Sequence, residues 1–391
     1  MNVLLVGGTG VLSSAVTYEA LKQGYHVTMI NRGSKSIPNG VELIKSDKNN
    51  IEYINSKLEG RTFDAVIDFL SISDEETARS FNLYHKFTRQ YFYISSCAVY
   101  NTASKNTPFN EDDEKGLKIW PYSLHKWQSE QHIIEMAKER GCNYTIIRPC
   151  VTYGDTRIPY GIMPEYGFHW TLCARIIAGK PIIRWNGGIN RCNITRVEDF
   201  AIGVVGLIGK KDAFNQAFNV CGDDMPSFND VLDVLSKHLN KEIQVIDLPS
   251  DYYAQEMPDY AGEILGGRSI DSLNSNLKIK KIVPEFTQSI DLFNGIGQTL
   301  KAYKDNNYQK GIDWRFDACT DRIVKKWCKK ERIHSFDRST IFVDYLNNAT
   351  LFDKYIYWVE KNKDIYIIKL IEDIRLFVRK VTLIIKRKLL N

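Results

Sequence analysis

Four apolar residues, Val3 to Val6, run directly into Gly7-Gly8-Thr9-Gly10-Val11-Leu12-Ser13, and a helical stretch from Ser13 to Lys22 follows. An unbroken apolar run reads as a strand buried on both faces. A glycine-rich turn that delivers such a strand into a helix begins a βαβ unit of a parallel sheet. The start of the helix offers unpaired N–H groups and the positive end of its dipole, which suits a pyrophosphate. Gly7 permits the tight turn and Gly10 lets the backbone approach the phosphates, so Gly7, Thr9, Gly10, Val11 and Leu12 are candidate cofactor contacts. Where a third glycine is common the chain has Ser13, which is small enough for helix and strand to pack.

Strand and helix signals continue to alternate. His26–Ile30, Val41–Ile44, Phe63–Phe69, Gln90–Ser95 and Tyr144–Arg148 read as strands, with helix-length segments between them. Pro121 opens a long helix that Gly141 ends. From about residue 155 the periodicity weakens; Pro159, Pro164, Pro181 and Gly187-Gly188 mark loops, and Val197–Ile208 and Phe228–Leu239 read as helices. These signals predict an α/β fold with a doubly wound parallel sheet over residues 1–155. Residues 156–295 are expected to form a smaller α/β lobe interleaved with that sheet, and residues 296–391 a basic, mainly helical C-terminal extension.

At 391 residues the chain exceeds what one core sustains. Its 43% hydrophobic and 25% charged residues exclude wholesale disorder and fibrous classes. No apolar run approaches the roughly 20 residues of a membrane span. The N-terminus enters a strand with no charged leader, so a secretory signal is not expected. Eight scattered cysteines without a C-x-x-C pair argue against a disulfide framework or a zinc site, and a reducing cytoplasm is the expected compartment.

The end of the second strand, Ile30-Asn31-Arg32-Gly33, holds no acid to accept from a ribose 2′-hydroxyl. Arg32 is instead placed to clamp a 2′-phosphate, which favours NADP, with NAD as the alternative. Asp47, beyond the third strand, is a candidate adenine contact. In Tyr122-Ser123-Leu124-His125-Lys126, a tyrosine and a lysine four apart share one helix face. A phenol near pKa 10 is a poor base at neutral pH, and a neighbouring ammonium favours phenolate. So poised, Tyr122 exchanges a proton with a substrate hydroxyl while hydride moves to or from the nicotinamide. Ser96, after the fifth strand, would donate to the same substrate oxygen, since ligands of open α/β sheets bind beyond the carboxyl ends of the strands.

With these residues in order, the sequence resembles the extended short-chain dehydrogenase/reductase family, the NAD-dependent epimerases and dehydratases of nucleotide sugars. The resemblance rests on Gly7-Gly8-Thr9-Gly10, Ile94 to Tyr100, Tyr122 to Lys126 with Glu130, Arg148-Pro149, Tyr153-Gly154, Val197 to Ala201 and Ala217 to Gly222, and covers about residues 1–290. It implies a Rossmann domain, a bound nicotinamide cofactor and a lobe gripping a nucleoside-diphosphate sugar. It also implies Ser96, Tyr122 and Lys126 as catalytic residues, with Pro149 lining the nicotinamide and Phe69, Leu70 and Ser71 beside the cofactor. The 4,6-dehydratases of the family carry an Asp-Glu pair where this chain has Cys97-Ala98, which disfavours dehydration. Arg191 and Arg196 lie near where the family presents an arginine to the substrate diphosphate.

The expected activity is thus nucleotide-sugar epimerisation or 4-keto-sugar reduction, two reactions that need the same groups. The alternative is a catalytically quiet nucleotide-binding scaffold whose basic C-terminal module docks on a membrane, an enzyme partner or RNA. Residues 301–391 carry a net +9, against −4 for the rest of the chain. The apolar stripe of a basic amphipathic helix expected over 365–390 is read first as packing on the module's own core; otherwise that helix, with Lys325-Lys326-Trp327-Cys328-Lys329-Lys330, suits a membrane surface, peripheral to its inner face, or an enzyme partner. A homodimer is compatible with this reading. No nucleic-acid motif accompanies the charge, so a nucleic-acid partner is not expected, and no metal site is expected.

Overall fold

The computed structural model describes residues 1–105, 107–159, 161–164, 168–307, 311–333, 349–365, 368 and 370. Apart from three positions, the basic helix expected over 365–390 lies outside the described residues. In chain order the elements are β1 (Asn2–Val6), α1 (Val11–Lys22), β2 (His26–Asn31), β3 (Val41–Lys45), α2 (Ile51–Leu58), β4 (Ala65–Asp68), α3 (Asp74–Tyr84), β5 (Gln90–Ile94), α4 (Pro121–Arg140) and β6 (Asn143–Pro149). Then come β7 (Val151–Tyr153), α5 (Trp170–Ile177), β8 (Ile182–Trp185), β9 (Ile194–Arg196), α6 (Val197–Gly206), β10 (Gln216–Val220), α7 (Phe228–Leu239) and β11 (Val245–Leu248). The last are α8 (Ser250–Glu256), α9 (Ala261–Glu263), α10 (Leu277–Ile282), α11 (Leu292–Asp305), α12 (Trp314–Lys330) and α13 (Leu351–Lys361).

Seven strands form one parallel sheet in the order β10-β6-β5-β4-β1-β2-β3. Residues alternate between its faces, as the two-residue period of a strand requires. Val3, Leu5, Val27, Ile67, Phe92 and Ile147 turn towards Val16 and Ala20 of α1 and Phe200 and Val204 of α6. Leu4, Val6, Ile30, Val66, Tyr91 and Ile146 turn to the other face, towards Ile54 of α2, Phe81 of α3 and Ile133 and Ala137 of α4. Both faces are covered, which is why Val3 to Val6 of β1 read as an unbroken apolar run. The sheet is the doubly wound Rossmann type, and its order reverses between β1 and β4, the point at which such sheets bind ligands.

α4 starts at Pro121 and ends at Gly141, whose φ of 64° places it in the left-handed region that favours glycine. Its buried face changes character along its length. Ser123, Lys126, Ser129 and Glu130 are buried polar groups, and Ile133 and Ala137 continue the face as hydrocarbon. Glu130 meets the Arg148 guanidinium in a forked pair at 3.0 and 2.6 Å and accepts from the Ser95 hydroxyl at 2.5 Å.

By internal contacts the chain divides into two units, one comprising Met1–Met163, Trp185–His238 and Pro249–Asn306, the other Pro164–Arg184, Leu239–Leu248 and Asn307–Asn391. The first unit holds the sheet. In the second, residues of the expected middle lobe group with the C-terminal helices through charge. Arg175 and Lys180 reach Asp317 at 2.6 and 2.7 Å and Asp321 at 2.8 Å each, and the Tyr357 hydroxyl also donates to Asp321. Burial alone would raise the Asp321 carboxyl, but Arg175 and Lys180 hold it below the usual carboxylate range. Among the described residues no helix is long and apolar enough to cross a membrane.

Replacing Glu130 with Ala strands the Arg148 charge in the interior. The expected loss in urea denaturation is about 3–5 kcal/mol. A loss within the usual surface range would show that the pair does not hold α4 to β6.

Candidate active site

The carboxyl ends of the strands collect the predicted residues. Gly7 and Gly8 follow β1 with φ of 108° and 109°. A Cβ on Gly8 would stand 2.3 Å from the Met29 methyl carbon, and one on Gly7 would stand 3.3 Å from the Leu70 side chain. The turn therefore needs glycine both for its backbone and for space. At its far end the Ser13 hydroxyl accepts the Gly10 N–H at 2.8 Å, so the serine that replaces a glycine fastens the turn to the helix. The N–H groups of Val11 and Leu12, in the first turn of α1, have no intrahelical acceptor. A pyrophosphate fits this cradle, which is thus suited to hold a dinucleotide.

Around the cradle, Asn31 turns its side-chain oxygen back to the Gly33 N–H at 2.7 Å, leaving Arg32 exposed at the end of β2. Lys35 donates to the Thr9 carbonyl at 3.1 Å, a contact the sequence gave no sign of. Asp47 is exposed and accepts from the Asn49 N–H at 3.0 Å. After β4, Phe69 and Leu70 lie against Gly7. Ser71 is buried, its hydroxyl donating to Asp68 at 2.5 Å. Pro149 ends β6 and is buried.

Ser96, two residues past β5, has extended backbone and caps the short helical turn Cys97–Val99, its hydroxyl oxygen accepting the Ala98 N–H at 3.1 Å. That turn packs on α4. Tyr122, in the first turn of α4, is 41% exposed and its ring lies 5.9 Å from that of Trp120. Lys126, one turn on, is 5% exposed. Its ammonium donates to the Ile94 carbonyl at 3.1 Å and the Tyr93 hydroxyl at 3.4 Å, and stands 6.0 Å from the centre of the Tyr122 ring. Burial, offset only in part by Asp68, Glu130 and Glu76, pushes Lys126 down to about 8. Ser96, Tyr122 and Lys126 are thus grouped at β5 and α4, while the cradle follows β1.

The two arginine candidates differ sharply. Arg196 is buried; its guanidinium is forked onto Glu198 at 2.9 Å and lies over the Tyr153 ring at 5.3 Å. Arg191 is exposed, its guanidinium 3.3 Å from Asp271, which also accepts the Arg191 N–H at 2.9 Å. Sequence reasoning did not assemble the polar network beneath the site. Arg148 donates to the Tyr100 hydroxyl at 2.9 Å, which donates to Asn219 of β10 at 2.6 Å, and the Asn219 N–H reaches Glu111 at 2.9 Å. Glu130 and Arg148 stood in the sequence as motif residues, but nothing local announced their pairing. Among the described residues no cluster could hold a metal ion.

Comparison with known proteins bears on the fold and the family. The chain is 28% identical over 251 residues to the chloroplast stem-loop binding protein of 41 kDa b of Arabidopsis thaliana, covering 60% of this chain and 62% of that one. It is 25% identical over 273 residues to the probable UDP-arabinose 4-epimerase 1 of Oryza sativa subsp. japonica, covering 61% and 60%. The chain therefore spans about six tenths of the length of the curated relatives it matches. A solved UDP-glucuronic acid 4-epimerase from Bacillus cereus in complex with NAD shares its fold at a TM-score of 0.61 and 18% identity, over 78% of this chain and 97% of that one. The profile of the NAD dependent epimerase/dehydratase family matches residues 3–221, from β1 to just past β10, and the chain belongs to that family.

Proposed function

We propose that this chain is an NAD(P)-dependent nucleotide-sugar 4-epimerase in which Tyr122 is the acid/base, Lys126 the cation beside it and Ser96 a hydrogen-bond donor to the sugar oxygen. The observation that carries the reading is Lys126, an almost wholly buried ammonium at the start of α4. Burying a charge costs stability, and among the described residues no carboxylate pairs with this one directly; such a cation is what a phenolate needs beside it. Tyr122 takes the proton of a sugar hydroxyl and returns it from the same position. Lys126 favours the phenolate form, and Ser96 holds the oxygen while its proton is away. The bound nicotinamide would supply hydride transfer.

Several finer assignments follow from the same geometry. Arg32 and Lys35, with no acid at the end of β2, favour NADP over NAD. Exposed Arg191 suits the substrate diphosphate better than Arg196, whose guanidinium is spent on Glu198 and Tyr153. Dehydration is disfavoured: burial holds the Cys97 thiol far above its ordinary pKa, and Ala98 has no proton to move. Turnover of UDP-sugars such as UDP-arabinose without added cofactor supports epimerisation, and strict dependence on added NADPH supports the keto-sugar reductase instead.

A second reading, a quiet nucleotide-binding scaffold, is favoured by one observation: a relative is named for binding a stem-loop. Tyr122→Phe separates the two. We expect turnover to fall about a thousandfold while cofactor binding by fluorescence titration is unchanged; cellular function that persists unaltered in this variant favours the scaffold.

The Lys126 charge makes its own prediction. Above about pH 8 the native state sheds this proton, while the unfolded chain keeps it to about pH 10. Wild-type stability therefore gains over that range, and Lys126→Met lacks the gain. From about pH 7 to about pH 10, the stability of K126M relative to wild type should fall by about 3 kcal/mol in urea titrations. A difference that stays flat with pH would mean the lysine is not buried as a charge.

A further inference from the structure

α13 buries Tyr357, Val359 and Glu360, and Tyr357 is bound to Asp321. The opposite side carries Leu351, Tyr355 and Trp358, spaced four and three residues apart on one face, at 86%, 45% and 55% exposure. Phe352 and, past the helix end, Ile365 are also exposed.

Cations border the stripe. Lys354 lies one turn before Trp358, whereas the half-buried Lys361 donates to the Tyr357 hydroxyl at 3.3 Å; α12 packs against α13. Lys325, Lys326, Lys329 and Lys330 are exposed at the end of α12. The nearby acids are engaged: Asp353 with Thr350, Glu360 with Lys363, and Asp364 with Arg322 and Lys326.

We propose that the outer face of α13, with its lysine border, docks on an anionic lipid surface. Trp and Tyr settle at headgroup level, Leu351 and Ile365 enter the acyl boundary, and the lysines meet lipid phosphate and carboxylate. The seven Lys and Arg of residues 311–333, against four Asp and Glu, complement such a surface. A nucleic acid would use the aromatic rings for stacking but gain nothing from Leu351 and Ile365. A second copy docked across a two-fold axis would bring the lysine borders together, which like-charge repulsion opposes.

The test is co-flotation of the full chain with vesicles of phosphatidylcholine alone or mixed with phosphatidylserine. The expected result is binding to the mixed vesicles only, with L351S/Y355S/W358S lowering the bound fraction about tenfold. K325E/K354E alters only surface lysines, leaves the fold and the epimerase site alone, and is expected to release the protein from the mixed vesicles as well. The proposal is overturned if no vesicle is bound or if both variants float like the wild type. It is also overturned if hairpin RNA, and not lipid, is the ligand that the serine variant loses, or if sedimentation shows that variant breaking a dimer. Turnover of UDP-sugar is read in the same samples, so a failed docking surface is not mistaken for a failed active site.

Discussion

A glutamate and an arginine facing each other in the interior hold the first unit's chemistry in place. Glu130 is fully buried and Arg148 is 2% exposed. Between them they join α4 to β6, and through Ser95 and Tyr100 they extend to the end of β5 and to Asn219 of β10. A buried ion pair is poor evidence for stability, because desolvation consumes most of what attraction returns. What it does provide is direction. Each hydrogen bond has one satisfactory geometry, so the start of α4 is fixed against the carboxyl ends of three strands. Ser96 and Tyr122 sit at that junction, one residue past Ser95 and two turns before Glu130.

Fixing α4 in this way explains why Lys126 can be charged and buried together. Its ammonium sits among the Ile94 carbonyl, the Tyr93 hydroxyl and the rings of Tyr93 and Tyr122, all acceptors or π faces. They compensate part of the lost hydration and leave the rest as the depressed pKa. A hydrocarbon at that position would cost less and do nothing for a phenolate. The polar half of the buried face of α4 is thus a local loss of stability at the site, and the apolar half, at Ile133 and Ala137, offsets it.

The parts legible in the sequence were those written in short-range pattern. The Val3–Val6 run, the glycine turn, Pro121 and Gly141 each specify backbone within a few residues, and each has its expected counterpart in the structure. What pattern could not express was pairing at a distance. Glu130 and Arg148 are 18 residues apart, and Arg175 meets Asp321 across 146, so neither contact leaves a local trace. The second pairing groups residues 164–184 with the C-terminal helices, where periodicity had suggested only loops. Arg191 and Arg196 were equivalent as letters; only the fold seats one over Tyr153 and leaves the other in solvent. Lys35 escaped notice for the same reason, since its contact with Thr9 depends on how the loop after β2 returns across the glycine turn.

α4 and α13 depart from ordinary amphipathicity in opposite directions. α4 draws a lysine and a glutamate inward; α13 turns Leu351, Tyr355 and Trp358 outward. Simple burial would place both sets the other way round. A chain selected for stability alone has no reason to keep either inversion, because a buried ammonium and an exposed tryptophan each forgo the main driving force of folding. Inversions of this kind persist where another interaction supplies what folding does not, and local rules tend to be broken at sites of function. For α4 the proposed interaction is with a phenolate forming at Tyr122. For α13 the proposed anionic surface would supply it, and the exposed lysines at the end of α12 give that surface its sign.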